Sequence, residues 1–132
     1  MKKAIFILFV FILTSCNVDP KGCIGYLVVE NGSSTPIVVT FEVLIENGTK
    51  TSMCISSQTK DTVYVDEGMG GGFELWQLLK FEIAACDNPE EIIYKQNPID
   101  KTLWIIDEKH DEKGFCYYSN NTFVFTDELI NQ

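Results

Sequence analysis

Arginine is absent from this chain, and its ten basic residues besides one histidine are all lysines. Against 19 acidic residues they leave a net charge of −9. A surface that neutralises phosphates needs clustered cationic side chains, so the composition argues against nucleic acid and anionic lipid headgroups as partners. The acidity itself reads as a solubility device. Histidine is nearly absent too. His110 stands alone in the charged run Asp107–Lys113, which offers no apolar pocket, nucleophile or orienting partner for acid–base work and reads as a solvated turn over 107–114. Motifs are also missing. There is no Gly-x-Ser-x-Gly elbow and no His-Glu-x-x-His pair. The glycines of 68–72 are not followed by the lysine and hydroxyl residue of a phosphate loop. They read as a loop crossing between sheets. The acidic residues lack the spacing of an EF-hand loop, and adjacent carboxylates such as Glu90 and Glu91 say nothing on a chain this acidic. The expectation is therefore no catalytic residue, no metal, no cofactor, and no enzyme.

Long apolar runs are scarce as well. The one run of ten, Ala4 to Leu13, follows Lys2 and Lys3 and precedes the small residues Thr14 and Ser15. A bilayer span needs about 20 apolar residues, so this run reads as the core of a secretory signal over residues 1–15. The stretch Leu13-Thr14-Ser15-Cys16 resembles the bacterial lipobox. That resemblance implies removal of the leader before Cys16 and acylation of its thiol, which tethers the chain through 16–22 to a membrane. Asn17 stands where an aspartate favours inner-membrane retention in well-studied lipoproteins, so the resemblance implies the outer membrane of the cell envelope. Whether the protein faces the periplasm or the outside stays open.

Four further cysteines, Cys23, Cys54, Cys86 and Cys116, make an even set in an exported chain. They suggest two disulfides with three pairings open. They are too widely spaced for a zinc cage.

What remains reads as one domain over 23–132, and its patterning is β. Ile24 to Val29 forms a β-branched apolar run, and Ile37 to Ile45 alternates with Ile37, Val39, Phe41, Val43 and Ile45 on one face. Residues 31–36 carry loop chemistry. Asn47-Gly48 predicts a two-residue hairpin turn into a strand over 50–55. Further strands are predicted over 60–65, 80–85, 91–95 and 102–107, with a short helix over Glu74 to Leu79. Asn88-Pro89 reads as a strand terminator. A last strand pair, 115–118 and 122–126, turns on Ser119-Asn120-Asn121, and the tail 127–132 frays. Short strands with turn signals every 8–12 residues read as an antiparallel β-sandwich, immunoglobulin-like in architecture only. The cysteine–tryptophan–cysteine spacing of a true immunoglobulin domain is missing.

Function, on this reading, rests on contact rather than chemistry. Trp76, Trp104, Tyr117 and Tyr118 are the candidate contact residues, since aromatics with polar tips are enriched at interfaces. Both tryptophans sit within apolar runs, where core packing is the stronger expectation. Tyr117 and Tyr118 are neighbours in a strand, so one of them faces outward. Asp61-Thr62-Val63 resembles the sequon for O-glycosylation of exported Bacteroidetes proteins, which marks Thr62 as a modification site. With the lipobox and the β pattern, the chain resembles small lipoproteins of that phylum. The resemblance carries over no activity. It leaves an envelope module binding a protein or glycan partner, or a small periplasmic inhibitor, similar to lysozyme inhibitors, that presents acidic residues 107–111 to a basic cleft.

Overall fold

Alternation drives the architecture. In the strand Ile37–Val43 (β2), residues 37, 39, 41 and 43 are buried while 38, 40 and 42 are half-exposed. In Ile24–Asn31 (β1) the buried odd residues are Gly25, Leu27, Val29 and Asn31. A period of two places one set of side chains between two layers. The computed structural model describes residues 23–67, 73–110, 112–113 and 116–130, without the side chains of Cys116 and Tyr117. The remaining strands are Thr49–Thr51 (β3), Thr59–Asp66 (β4), Leu78–Ala85 (β5), Asn88–Gln96 (β6), Trp104–His110 (β7) and Cys116–Phe125 (β8), with a helical turn at Asp127–Ile130 (α1).

Two four-stranded sheets result, in the orders β4-β1-β8-β7 and β3-β2-β5-β6. The protein is an all-β sandwich, as the sequence pattern indicates. Every pair is antiparallel except β1 with β8, which run parallel from Ile24 opposite Tyr118 to Asn31 opposite Phe125. Between the sheets lie two aromatic groups. Phe81, Trp104, Phe123, Tyr94 and Phe125 interlock at centroid distances of 5.0–6.0 Å. Toward one end, Tyr64 stands edge-on to both Phe41 and Phe73. Edge-to-face packing of this kind adds to the area buried.

Several local expectations are corrected. The Asn47-Gly48 hairpin does join β2 to β3, but through the five residues 44–48, because β2 stops at Val43. Gly48 holds φ +105°, while Asn47 does not enter the left-handed region. Ile45, expected inside, is exposed. The Cys86-Asp87 turn between Ala85 and Asn88 is the tight two-residue hairpin instead, so Asn88-Pro89 opens β6 rather than closing a strand. The helix expected over 74–79 shrinks to a 3-10 turn at Leu75–Gln77, whose N-cap Glu74 and Gln77 cap each other. A second 3-10 turn, Lys101–Leu103, displaces the start of the strand expected over 102–107. That strand, β7, runs on through His110, so the first half of the expected charged turn is strand. The predicted final hairpin does not exist. β8 is one continuous strand, and Ser119, Asn120 and Asn121 lie in its middle. The tail does not fray through residue 130, because α1 places Leu129 against the core.

Polar residues that looked like loop are in fact structural. Asn31 is fully buried, and its Nδ2 donates to the carbonyls of Thr35, Ile55 and Ser56 at 2.9, 3.1 and 3.2 Å. Its Oδ1 accepts from Ser33 N and Oγ at 3.1 and 2.6 Å. Ser34 in turn donates from its N and Oγ to Asp127. This knot ties the β1–β2 connection to residues 55–56 and to α1. The disulfide Cys54–Cys86 closes the same end of the sandwich. Cys23, at the other end, is also disulfide-bonded.

Candidate functional site: the outer face of the first sheet

The outer faces of the two sheets differ in kind. On the sheet β3-β2-β5-β6, register places Thr51, Thr40, Glu82 and Lys95 in one row and Thr49, Glu42 and Lys80 in the next. Thr49 Oγ1 donates to Glu42, and Lys80 pairs with Glu82 at 3.1 Å. These two rows are polar, while a third, Val38, Ala84 and Ile92, is aliphatic, with Ile92 exposed.

On the sheet β4-β1-β8-β7 the outward residues mix aliphatics and two tyrosines with polar side chains. One row runs Thr62, Val28, Thr122, Ile105, and the next Val65, Tyr26, Asn120, Asp107. A third brings together Ile24, Tyr118 and Lys109. Val28 is buried although it faces outward, because its neighbours close over it in the middle of the sheet. Ile105 and Val65 are exposed. Tyr26 and Tyr118, diagonal neighbours across the parallel pair, meet at 5.6 Å between centroids with planes at 48°. Lys109 Nζ stands 5.2 Å from the centre of the Tyr118 ring. A lysine over an aromatic face contributes about 0.5–1 kcal/mol at an exposed site. Asp107 borders this patch on one side, and the Lys60–Glu30 pair, at 3.7 Å, on another.

The candidate contact residues separate cleanly. Tyr118 lies in the patch. Trp104 is core: 6% exposed, packed on Phe81 and Phe123, its Nε1 donating to Gln96 Oε1 at 3.1 Å. Gln96 also takes the N–H of Asp100 and donates to the Tyr94 hydroxyl, so the indole's polar edge is fully served. Trp76 is 53% exposed, at one end of the sandwich and away from this face, with its Nε1 donating to Glu74 at 2.5 Å. The side chain of Tyr117 lies outside the described residues. Sequence reasoning missed Tyr26, Ile105 and Lys109. The parallel β1–β8 pair brings the first of these beside Tyr118, and no local signal announces a parallel pairing.

Thr62 is exposed on the edge strand β4, its N–H donating to Asp61 Oδ1 at 2.8 Å. His110 is exposed at the end of β7 with Glu108 3.4 Å away. Among the described residues, no three His, Cys, Asp or Glu side chains gather in a way that could hold a metal ion. Also among them, no helix is long and apolar enough to cross a membrane. A shallow groove of about 410 Å³ between β6 and α1 is lined by Ile92, Ile93, Tyr94, Lys95, Leu129 and Ile130. It gathers no acid–base pair and no nucleophile. No family model, no curated protein and no solved structure matches this chain.

Proposed function

We propose that this protein is a lipid-anchored component of the cell envelope, without enzymatic activity, which binds a protein partner through the outer face of the sheet β4-β1-β8-β7. One observation carries the reading. That face sets exposed Ile105 and Val65 beside the Tyr26–Tyr118 pair, whereas the opposite outer face carries threonines, charges and the aliphatic row Val38, Ala84 and Ile92, with no aromatic pair among its described residues. Exposed aliphatics around aromatics with polar tips are the composition of a contact surface. β7 is also an edge strand, so its free side could accept a partner's strand. The lipobox-like Leu13-Thr14-Ser15-Cys16 supports the anchor, and Asn17 supports the outer membrane. Thr62, exposed on the other edge, is proposed to carry a glycan that keeps that edge from pairing.

The test is a pull-down from native envelopes with the lipidated chain, comparing the natural protein with Tyr118→Ala and Ile105→Asp. Retention of one partner by the natural protein and its loss from both variants is the expected result. Equal retention by all three refutes the face. Binding to envelope glycan rather than protein, abolished by Tyr118→Ala alone, would replace the protein partner with a sugar.

The inhibitor reading keeps one specific observation. Asp107 and Glu108 are both exposed on an edge strand. An acidic strand entering a basic cleft would lose association rate steeply with added salt. A contact made by Tyr118, Tyr26 and Ile105 would respond weakly.

A further inference from the structure

The two ends of the sandwich are unlike. One holds the Asn31 knot and the Cys54–Cys86 disulfide. At the other, four large apolar side chains face solvent: Leu44 (54% exposed), Ile45 (60%), Trp76 (53%) and Leu79 (46%). The first two sit on the β2–β3 connection, Trp76 in the 3-10 turn and Leu79 at the start of β5. The hydrogen bond from Leu44 N to Gln77 O, 2.8 Å long, joins these two segments. Leu79 is turned out by the irregularity that pairs Val43 with Leu78 but Glu42 with Lys80.

This apolar end is also where the chain enters the domain. Gly25 lies so close to Phe73 that a Cβ on it would stand 2.1 Å from the Phe73 nitrogen. Phe73 leads directly into the turn that carries Trp76. Cys23 and the tip therefore share one end. Cys16 precedes Cys23 by seven residues, which reach at most about 25 Å when fully extended. A chain acylated at Cys16 cannot hold this end far from the bilayer.

We infer that Leu44, Ile45, Trp76 and Leu79 form a tip that dips into the headgroup region of the membrane and fixes the orientation of the sandwich upon it. The inference rests on the lipid-anchor reading. Its occupant is a zwitterionic phospholipid surface. Tryptophan with an aliphatic collar is the composition of an interfacial anchor. The charges beside the tip are mostly acidic: Glu74 holds the indole N–H, Glu46 pairs with Lys50 and Tyr64, and Asp66 ends β4 with Glu67 following it. Anionic headgroups would be repelled by that rim. With the tip down, the knot and disulfide point away from the membrane, and the Tyr26–Tyr118 face is presented sideways to neighbours on the same surface.

The test uses the lipidated full-length product purified from membranes and reconstituted in phosphatidylcholine vesicles, with and without lipids brominated high on the acyl chains. Buried Trp104 serves as the internal reference. Brominated lipid should quench roughly half or more of the Trp76 emission, and Trp76→Phe should leave only unquenched emission from Trp104. Ile45→Asp, exposed and so neutral for folding, should cut the quenching of Trp76. So should replacing phosphatidylcholine with phosphatidylglycerol. An acylated protein that floats with the vesicles while Trp76 is unquenched overturns the tip and leaves the anchor standing. Stronger quenching on the anionic vesicles overturns the choice of lipid. An intact Met1, or a chain that never reaches the membrane, overturns the anchor and the tip together.

Discussion

Asn31→Asp replaces one NH2 by one oxygen and changes nothing in volume, so it isolates the donor side of the buried knot. In the natural protein Nδ2 faces three carbonyl oxygens at 2.9–3.2 Å, while Oδ1 already accepts from Ser33. The aspartate keeps the Ser33 contacts and points an oxygen at the three carbonyls. Two donated hydrogens are lost at about 1–1.5 kcal/mol each, and acceptors left unpaired in a dry site add about 1–3 kcal/mol. A carboxylate with no cation beside it costs more again. We expect Asn31→Ala to lose about 3–4 kcal/mol, and Asn31→Asp about 5 kcal/mol at neutral pH, which is much of a small domain's total stability. The sign of the pH dependence discriminates further. Burial and facing carbonyls raise the aspartate's folded pKa above its unfolded value of about 3.9. Its protonated form donates one hydrogen bond, so the variant is most stable below pH 4 and loses stability as pH rises through the folded pKa. Urea unfolding followed by tryptophan fluorescence, between pH 3.5 and 8, gives each number. An aspartate variant as stable as the alanine variant, with a flat pH profile, would show that the three carbonyl contacts do not hold this end together.

Gly25→Ala would set a Cβ 2.1–2.6 Å from the backbone N, O and Cα of Phe73. No side-chain rotation relieves that clash, so a loss of about 3 kcal/mol or more is expected in the same urea assay, and a loss below about 0.5 kcal/mol would refute it. Replacing Cys54 and Cys86 by serine reopens a loop with a sequence separation of 32. The chain-entropy relation makes that about 3–4 kcal/mol, read as a lowered Tm. Tyr64 is held protonated above its ordinary value of 10.0, first by burial and then by its hydrogen bond to Glu46. Its contribution is complete below pH 10 and fades as pH rises above it, so Tyr64→Phe should flatten the alkaline arm of the stability curve. Trp104→Ala empties a packed site and should cost about 3–5 kcal/mol, while Trp76→Ala, on the surface, should shift unfolding by no more than about 0.5 kcal/mol.

Where the sequence pattern was regular, it was sufficient. β2 alternates strictly, and all four of its inward residues from Ile37 to Val43 are core. The β class follows from that alternation and from the density of turn residues. Errors arose where a polar residue had two uses. Asparagine, serine and glycine mark turns because their side chains satisfy backbone groups locally. Inside a sandwich the same side chains satisfy distant groups. Asn31 serves one carbonyl in its own connection, Thr35, and two beyond it, Ile55 and Ser56. Asn121, fully buried in β8, donates to Ser119 Oγ at 3.2 Å and to Tyr26 O at 3.3 Å. A local window cannot tell an asparagine that closes a turn from one that bridges two segments, so Ser119–Asn121 read as a hairpin and the ten-residue strand was cut in two.

The candidate site was legible only in part, for a related reason. Adjacent tyrosines in a strand must diverge, so an outward tyrosine near 117–118 followed from pleating alone. That Tyr26 stands beside it depends on a parallel pairing between residues more than ninety positions apart, which leaves no periodic trace in either segment. The tryptophans show the same limit. Both lie in short apolar runs, yet Trp104 opens a strand against the aromatic core, while Trp76 sits in the middle of a 3-10 turn whose flanking residues, Leu75 and Gln77, take the buried positions. Three residues per turn put only one side of so short a turn inward. The indole is therefore left outside by geometry rather than by polarity. An exposed tryptophan carried on rigid, capped backbone costs little conformational entropy to bury against a surface, and with Leu44, Ile45 and Leu79 around it the apolar end, rather than Ile105 and Ile106 on β7, has the makings of a fixed contact.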